Sequence, residues 1–111
     1  MSTSPKVLVP SKLLEAAQTT QCTADGVKVR IDSCVVTNQL TTNETLSLNI
    51  VTSGDTPGSD NLFIKSKTIF PGESYECPEI IGQWLEQGDF VSTAASDGTA
   101  FSFRMSGIQV S

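Results

Sequence analysis

The sequence contains no histidine. That absence removes the commonest general base, the commonest metal ligand, and both the Ser–His and Cys–His nucleophile pairs. Charge is sparse as well: charged residues make up 17% of the 111, and twelve acids against seven bases leave a net charge of −5. The bases are scattered, with Lys28/Arg30 and Lys65/Lys67 the only close pairs. The basic stripe of a nucleic-acid-binding domain is therefore missing. No apolar run approaches the roughly 20 residues that span a bilayer. The opening Met-Ser-Thr-Ser-Pro lacks the charged-then-apolar layout of a signal peptide. Neither nucleic acid nor membrane is expected as a partner.

Other chemistry is also thin. The three cysteines, Cys22, Cys34 and Cys77, are an odd number without metal-ligand spacing. They read as free, packed thiols, with one disulfide plus one free thiol as the alternative. Glu73, Glu76 and Glu79 recur every third residue, but Pro71, Gly72 and Pro78 oppose the helix that would gather them. No phosphate loop or dinucleotide fingerprint occurs. The Asn43-Glu44-Thr45 sequon carries little weight without a secretory signal. Residues 53–60 hold two aspartates in the densest turn signal of the chain, without the ordered ligand spacing of a calcium loop. They read as a solvated hairpin loop. No catalytic, cofactor-binding or metal site is expected.

What the chain does have is period-two patterning. In residues 27–38, Val27, Val29, Ile31 and Val35 share one parity, while Lys28, Arg30 and Asp32 hold the other. Such alternation turns one set to a core and the other to water, and the β-branched content suits a pleated surface. Val35-Val36 blurs the pattern near its end. Residues 44–52 alternate cleanly through Leu46, Leu48 and Ile50; residues 18–23, 61–70, 74–77 and 90–96 read as further strands. The last strand opens at Phe101, and its apolar parity switches at Ser106-Gly107, the mark of a β-bulge. Asp97-Gly98 is a two-residue hairpin signal. The apolar segment 78–85, with the lone Trp84, is expected to pack across one end of the domain; Trp84 reads as a core or interface aromatic rather than a sugar platform. Val29, Ile31, Leu48, Ile50, Phe101 and Phe103 are the expected core.

The first 14 residues differ from the rest. Val7-Leu8-Val9 lies between Pro5 and Pro10, and Leu13-Leu14 follows. This stretch is an edge strand or a docking arm, and few charges guard the strands against edge-to-edge contact. The chain thus reads as all-β: a single antiparallel β-sandwich or small jelly-roll-like barrel over residues 15–111, with an extended N-terminal arm over residues 1–14. The residues expected to dock on a partner are Val7, Leu8, Val9, Leu13, Leu14 and Trp84.

From residue 18 onward the chain resembles small virion proteins of tailed bacteriophages. The resemblance rests on residues 27–38 leading into 46–50, on Ile69-Phe70-Pro71-Gly72-Glu73-Ser74, on Leu85-Glu86-Gln87-Gly88-Asp89-Phe90-Val91-Ser92 with Ala94-Ala95-Ser96, and on Phe103-Arg104-Met105-Ser106-Gly107-Ile108. It is a pattern of strands and turns, and it transfers no site residues. It implies a non-enzymatic β-sandwich without cofactors that assembles in many copies on the capsid or the head–tail and tail region, as a decoration, cement or accessory protein. The partners implied are other copies of itself and a neighbouring major capsid, neck or tail protein. The location implied is the virion, after synthesis in the host cytoplasm. The alternative is a receptor- or glycan-binding module of a tail fibre, which a long trimerising stalk usually accompanies.

Overall fold

Long alternating strands have to pair and cover an apolar face. The computed structural model, which describes residues 3–111, sorts them into two sheets. The strands are β1 (Thr3–Leu13), β2 (Thr19–Thr23), β3 (Lys28–Asn38), β4 (Glu44–Val51), β5 (Leu62–Ile69), β6 (Ser74–Tyr75), β7 (Trp84–Leu85), β8 (Phe90–Ala95) and β9 (Phe101–Val110). The first sheet runs β1-β9-β3, with β6 and β7 both paired to the far edge of β3; the second runs β2-β8-β4-β5. All pairings are antiparallel. The two sheets pack together as the expected β-sandwich.

The core lies between them. Val29, Ile31, Cys34 and Val36 of β3 and Phe101, Phe103 and Met105 of β9 meet Leu46 and Leu48 of β4, Ile64 of β5 and Val91 of β8. Five of the six expected core residues are fully buried; Ile50, next to the last residue of β4, is half-buried against the cluster.

The interruption of the alternation falls on a different strand from the one expected. In β9 the parity holds through Phe101, Phe103, Met105 and Gly107, all buried. The extra residue is in β3: Ile31 pairs with Gly107 and Ser33 with Ser106, leaving Asp32 unmatched. This bulge exchanges the two faces of β3. Beyond it Cys34, Val36 and Asn38 turn inward and Val35 turns outward. Val35 therefore does not share a face with Val29 and Ile31. Strand β1 carries an extra residue at the same level, between Val7 (paired with Ser106) and Val9 (paired with Met105), and a second between Val9 and Lys12.

The expected arm is a strand of the sheet. Residues from Thr3 to Leu13 pair with β9; Pro5 lies opposite Ile108 in a regular stretch of what is an edge strand, where proline is tolerated, and Pro10 falls in the second bulge. Val9 and Leu14 are fully buried, and Leu8 packs partly buried against the core. Two hydrogen bonds and an ion pair pin its end. Leu14 N–H donates to the Phe101 carbonyl at 3.0 Å. Glu15 accepts from Lys12 Nζ at 2.9 Å and from Gln21 Nε2 at 3.0 Å. The Gln21 amide first, and then Lys12, hold the Glu15 carboxyl down at about 2.

The sheet edges are better guarded than the overall composition suggests. β1 carries Pro5, Pro10, Lys6, Lys12 and its bulges. β5 carries Lys65, Lys67 and a bulge in which Ser66 takes a φ of 46°. β2 has five residues, and β6 and β7 have two each. Short, charged, bulged or proline-bearing edges resist edge-to-edge pairing.

Segment 78–85 runs along the edge of β3 rather than across one end. Gly82 N–H donates to the Ile31 carbonyl at 2.7 Å, and Ile31 N–H donates to the Gln83 carbonyl at 3.0 Å. Ile80 and Leu85 point into the core from this path. Asp97-Gly98 does not close a hairpin, because β8 and β9 belong to different sheets. Only the β4–β5 link, with its 53–60 loop, joins two consecutive strands that pair with each other. Lys67 of β5 lies 5.1 Å from the centroid of the Tyr75 ring on β6, tying the sheets across this side. Tyr75 in turn donates its hydroxyl to Glu79 Oε1 at 2.6 Å. Burial, followed by Glu79, raises the Tyr75 pKa.

Candidate functional site: the open face of the first sheet

The two outer faces of the sandwich differ. On the second sheet, Asn49, Val51 and Ser92 have the outward parity yet are buried. The chain folds back over them: Asn49 Nδ2 donates to the Gly58 carbonyl at 3.0 Å and to Asn61 Oδ1 at 2.7 Å, and Gln18 Nε2 donates to Ser92 Oγ at 2.8 Å. Among the described residues the first sheet has no such roof.

Residues paired across a ladder project from the same face. Three rows therefore define the open face. Pro5, Ile108, Arg30 and Trp84 form one; Val7, Ser106 and Ser33 the next; Leu13, Ser102, Thr37 and Ser74 the last. Between the second and third, Arg104 of β9 stands beside Val35 of β3. Val7, Leu13, Val35 and Trp84 are 39–44% exposed, as is Ile81, which shares a shallow cleft with Val35. Among the described residues these are five of the seven exposed large hydrophobics; the others, Phe63 and Phe70, lie on β5 and just after it.

The charges on this face are few and their partners are specific. Arg30 donates to Asp32 through Nε at 2.7 Å and Nη2 at 3.4 Å, a two-pronged contact made possible by the bulge residue. Asp32 raises the Arg30 pKa by that hydrogen bond. The Arg30 guanidinium lies 5.8 Å from the Trp84 ring centroid, within cation–π range. Among the described residues Arg104 reaches only Ser11 Oγ, at 3.5 Å. Glu76 lines the Val35–Ile81 cleft together with Asp32. Among the described residues neither Arg104 nor Glu76 forms an ion pair.

The face divides the six expected docking residues. Val7, Leu13 and Trp84 are on it; Val9 and Leu14 are core; Leu8 is half-buried against the core. Sequence reasoning missed Val35, Ile81 and Arg104. The Val35-Val36 doublet was the available signal, since a strand whose alternation slips by one must present one of the pair outward.

Among the described residues no three His, Cys, Asp or Glu side chains are placed to hold a metal ion. All three thiols are free. Cys34 and Cys77 are buried; a hydrogen bond to the Cys77 thiol, reinforced by burial, pushes Cys34 far up. Burial also raises half-buried Cys22. Both shifts oppose the thiolate that a nucleophile needs. What the face offers is a broad surface of aliphatic side chains and hydroxyls around one unpaired cation and one unpaired carboxylate. The chain matches no protein-family model, no curated protein and no solved structure.

Proposed function

We propose that this protein is a non-enzymatic structural component of a tailed-bacteriophage virion, assembling in many copies on the capsid or the head–tail and tail region. The observation that carries the reading is the one-sided distribution of exposed apolar side chains. Among the described residues, five of the seven gather on or beside the open face of the first sheet, while on the opposite face the loop before β5 folds over Asn49. Exposed apolar side chains gathered on one face point to a contact surface there, and the resemblance in strands and turns supplies the kind of assembly. The neighbours in it are further copies of the chain and a capsid, neck or tail protein. Exposed Trp84 is the feature that favours a glycan-binding tail-fibre module instead. Its ring, however, already carries Arg30, which occupies a stacking surface that a sugar would need.

The test is to purify particles made from the encoding genome, separate heads from tails and measure this chain in each by mass spectrometry. Recovery at many copies per particle in either fraction is the expected result. Infectious particles that lack the chain would refute the proposal.

A further inference from the structure

We infer that the open face of the first sheet is a two-fold interface that binds a second copy of this chain. The inference rests on the assembly reading above and specifies its first step.

Two features of the face point to a copy of itself, and a third sets how strong the contact is. The first is charge. Arg104 and Glu76 lack ion-pair partners within the described chain and lie on opposite sides of Val35. Arg104 is on β9, along one edge of β3; Glu76 directly follows β6, on the other edge. Consider a two-fold axis lying in the interface along β3 near Val35. It lays the β9 side of one copy over the β6–β7 side of the other. Arg104 of each copy then faces Glu76 of its mate, and the contact occurs twice, as an isologous interface requires.

The second feature is the match of apolar positions under the same operation. Arg30 pairs with Ile108 on one side and with Trp84 on the other. The axis therefore places the exposed Trp84 of one copy over Ile108 of the other. Val35 meets its own symmetry mate at the centre, with Ile81 beside it. An axis along the strands also keeps the two sheets aligned, the usual geometry for sheets packed about 10 Å apart.

The third is size. Under this axis β1 overhangs, and the overlap is made by β9, β3 and the β6–β7 edge: about 35 Å long from strands of 10 and 11 residues and about 10–15 Å wide. The projected area, on the order of 400 Å² per partner, belongs to the small, weak class of interfaces, below the roughly 800 Å² per partner of a standard one. Serines and threonines lie among and beyond the apolar positions, Ser33 and Ser106 between Trp84 and Val35 and Thr37, Ser74 and Ser102 beyond Val35, and supply hydroxyls for the hydrogen bonds that such interfaces carry. Edge-to-edge association is disfavoured by the guarded edges described above, which leaves the face as the surface for self-contact.

The experiment is sedimentation velocity on the full chain across a concentration series, with three variants. The wild type is expected to dimerise. Val35→Asp places a carboxylate at the centre of the interface from both copies and should weaken the dimer on the order of 100-fold. Arg104→Glu should weaken it by about tenfold, and adding Glu76→Arg should restore affinity to within about threefold of wild type. Circular dichroism checks folding. Should Val35→Asp fail to fold, the Arg104→Glu and Glu76→Arg pair decides the matter. A wild type that stays monomeric at every concentration would overturn the inference. So would a dimer that Val35→Asp leaves intact, or a charge reversal that the second reversal does not rescue. A monomer recovered at many copies from virions would overturn the two-fold interface alone, leaving the virion reading in place. A dimer absent from virions would overturn that reading while leaving the interface.

Discussion

Gly107→Ala should be among the most damaging single-methyl additions to this domain. Gly107 sits in the middle of β9, paired with Ile31 on one side and Lys6 on the other. Its backbone is not in the left-handed region, so the argument is steric rather than conformational. A Cβ built there lies 1.9 Å from the Arg30 carbonyl oxygen and 3.0 Å from its carbon. Ordinary carbon–oxygen contacts in sheets fall at about 3.3–3.6 Å, so β3 must retreat by more than about 1 Å. It cannot do so freely, because the Arg30–Asp32 bulge is fixed on its other edge by β7 and by the Ile31 bonds to Gly82 and Gln83. Overpacking costs about 1–3 kcal/mol, and one or two strained ladder bonds add about 1 kcal/mol each. Against this stands a gain of about 0.5–1 kcal/mol from a less flexible unfolded chain. The net expectation is a loss of about 1–4.5 kcal/mol, read from urea unfolding by circular dichroism. Gly72→Ala is the comparison: its added methyl meets nothing within 4 Å, but a φ of 75° makes it cost about 1–2 kcal/mol. If Gly107→Ala were to lose less than about 0.5 kcal/mol, the crowding between β3 and β9 would be disproved.

Four further outcomes are expected. Ile31→Ala removes packed atoms from a fully buried site and should lose about 2–5 kcal/mol; a loss near zero would contradict the inward facing of β3 before its bulge. Alkylation in denaturant without reductant should add three labels, one for each free thiol; a single label would establish a disulfide. Deleting residues 1–14 should unfold or severely destabilise the domain, because it removes a whole strand together with Val9 and Leu14 from the core; a deletion variant with wild-type thermal stability would mean that β1 is dispensable. Glu15 should titrate near pH 2 by carboxyl NMR, against an ordinary value of 4.5, because Gln21 and Lys12 favour its charged form. A folded-state pKa below the unfolded one adds stability that is complete above about pH 4.5 and lost as pH falls through about 2; an unshifted midpoint in wild type, or no upward move in Gln21→Ala, would show that these contacts are not formed.

Alternation in β4, in the first part of β3 and through most of β9 was enough to read the sandwich, because there each side chain has only two directions to choose between. Pairing partners were less legible. Turn signals such as Asp97-Gly98 and Pro71-Gly72 say that the chain reverses, but not whether it returns to the same sheet; here both lead into the other one. The leader stays open between an edge strand and an arm on sequence alone, because Pro5 and Pro10 are compatible with either; Pro5 is carried by the edge position of β1 and Pro10 by a bulge that has no compositional mark. The open face was hidden for a related reason. One unmatched residue, Asp32, decides whether Val35 is core or surface, and the partner strand that defines the mismatch begins more than 60 residues later.

The position of β9 has a consequence for how the chain acquires its structure. This strand is the ninth in chain order, yet it lies between β1 and β3. Until it arrives, β1 has no ladder partner at all, and β3 has only the two-residue strands β6 and β7. During synthesis β1 therefore stays unpaired, and the β9 side of β3 stays open, until β9 itself has left the ribosome. Closure of the first sheet then joins segments about a hundred residues apart, a non-local step of the kind that makes β-sandwiches fold in milliseconds to seconds rather than microseconds.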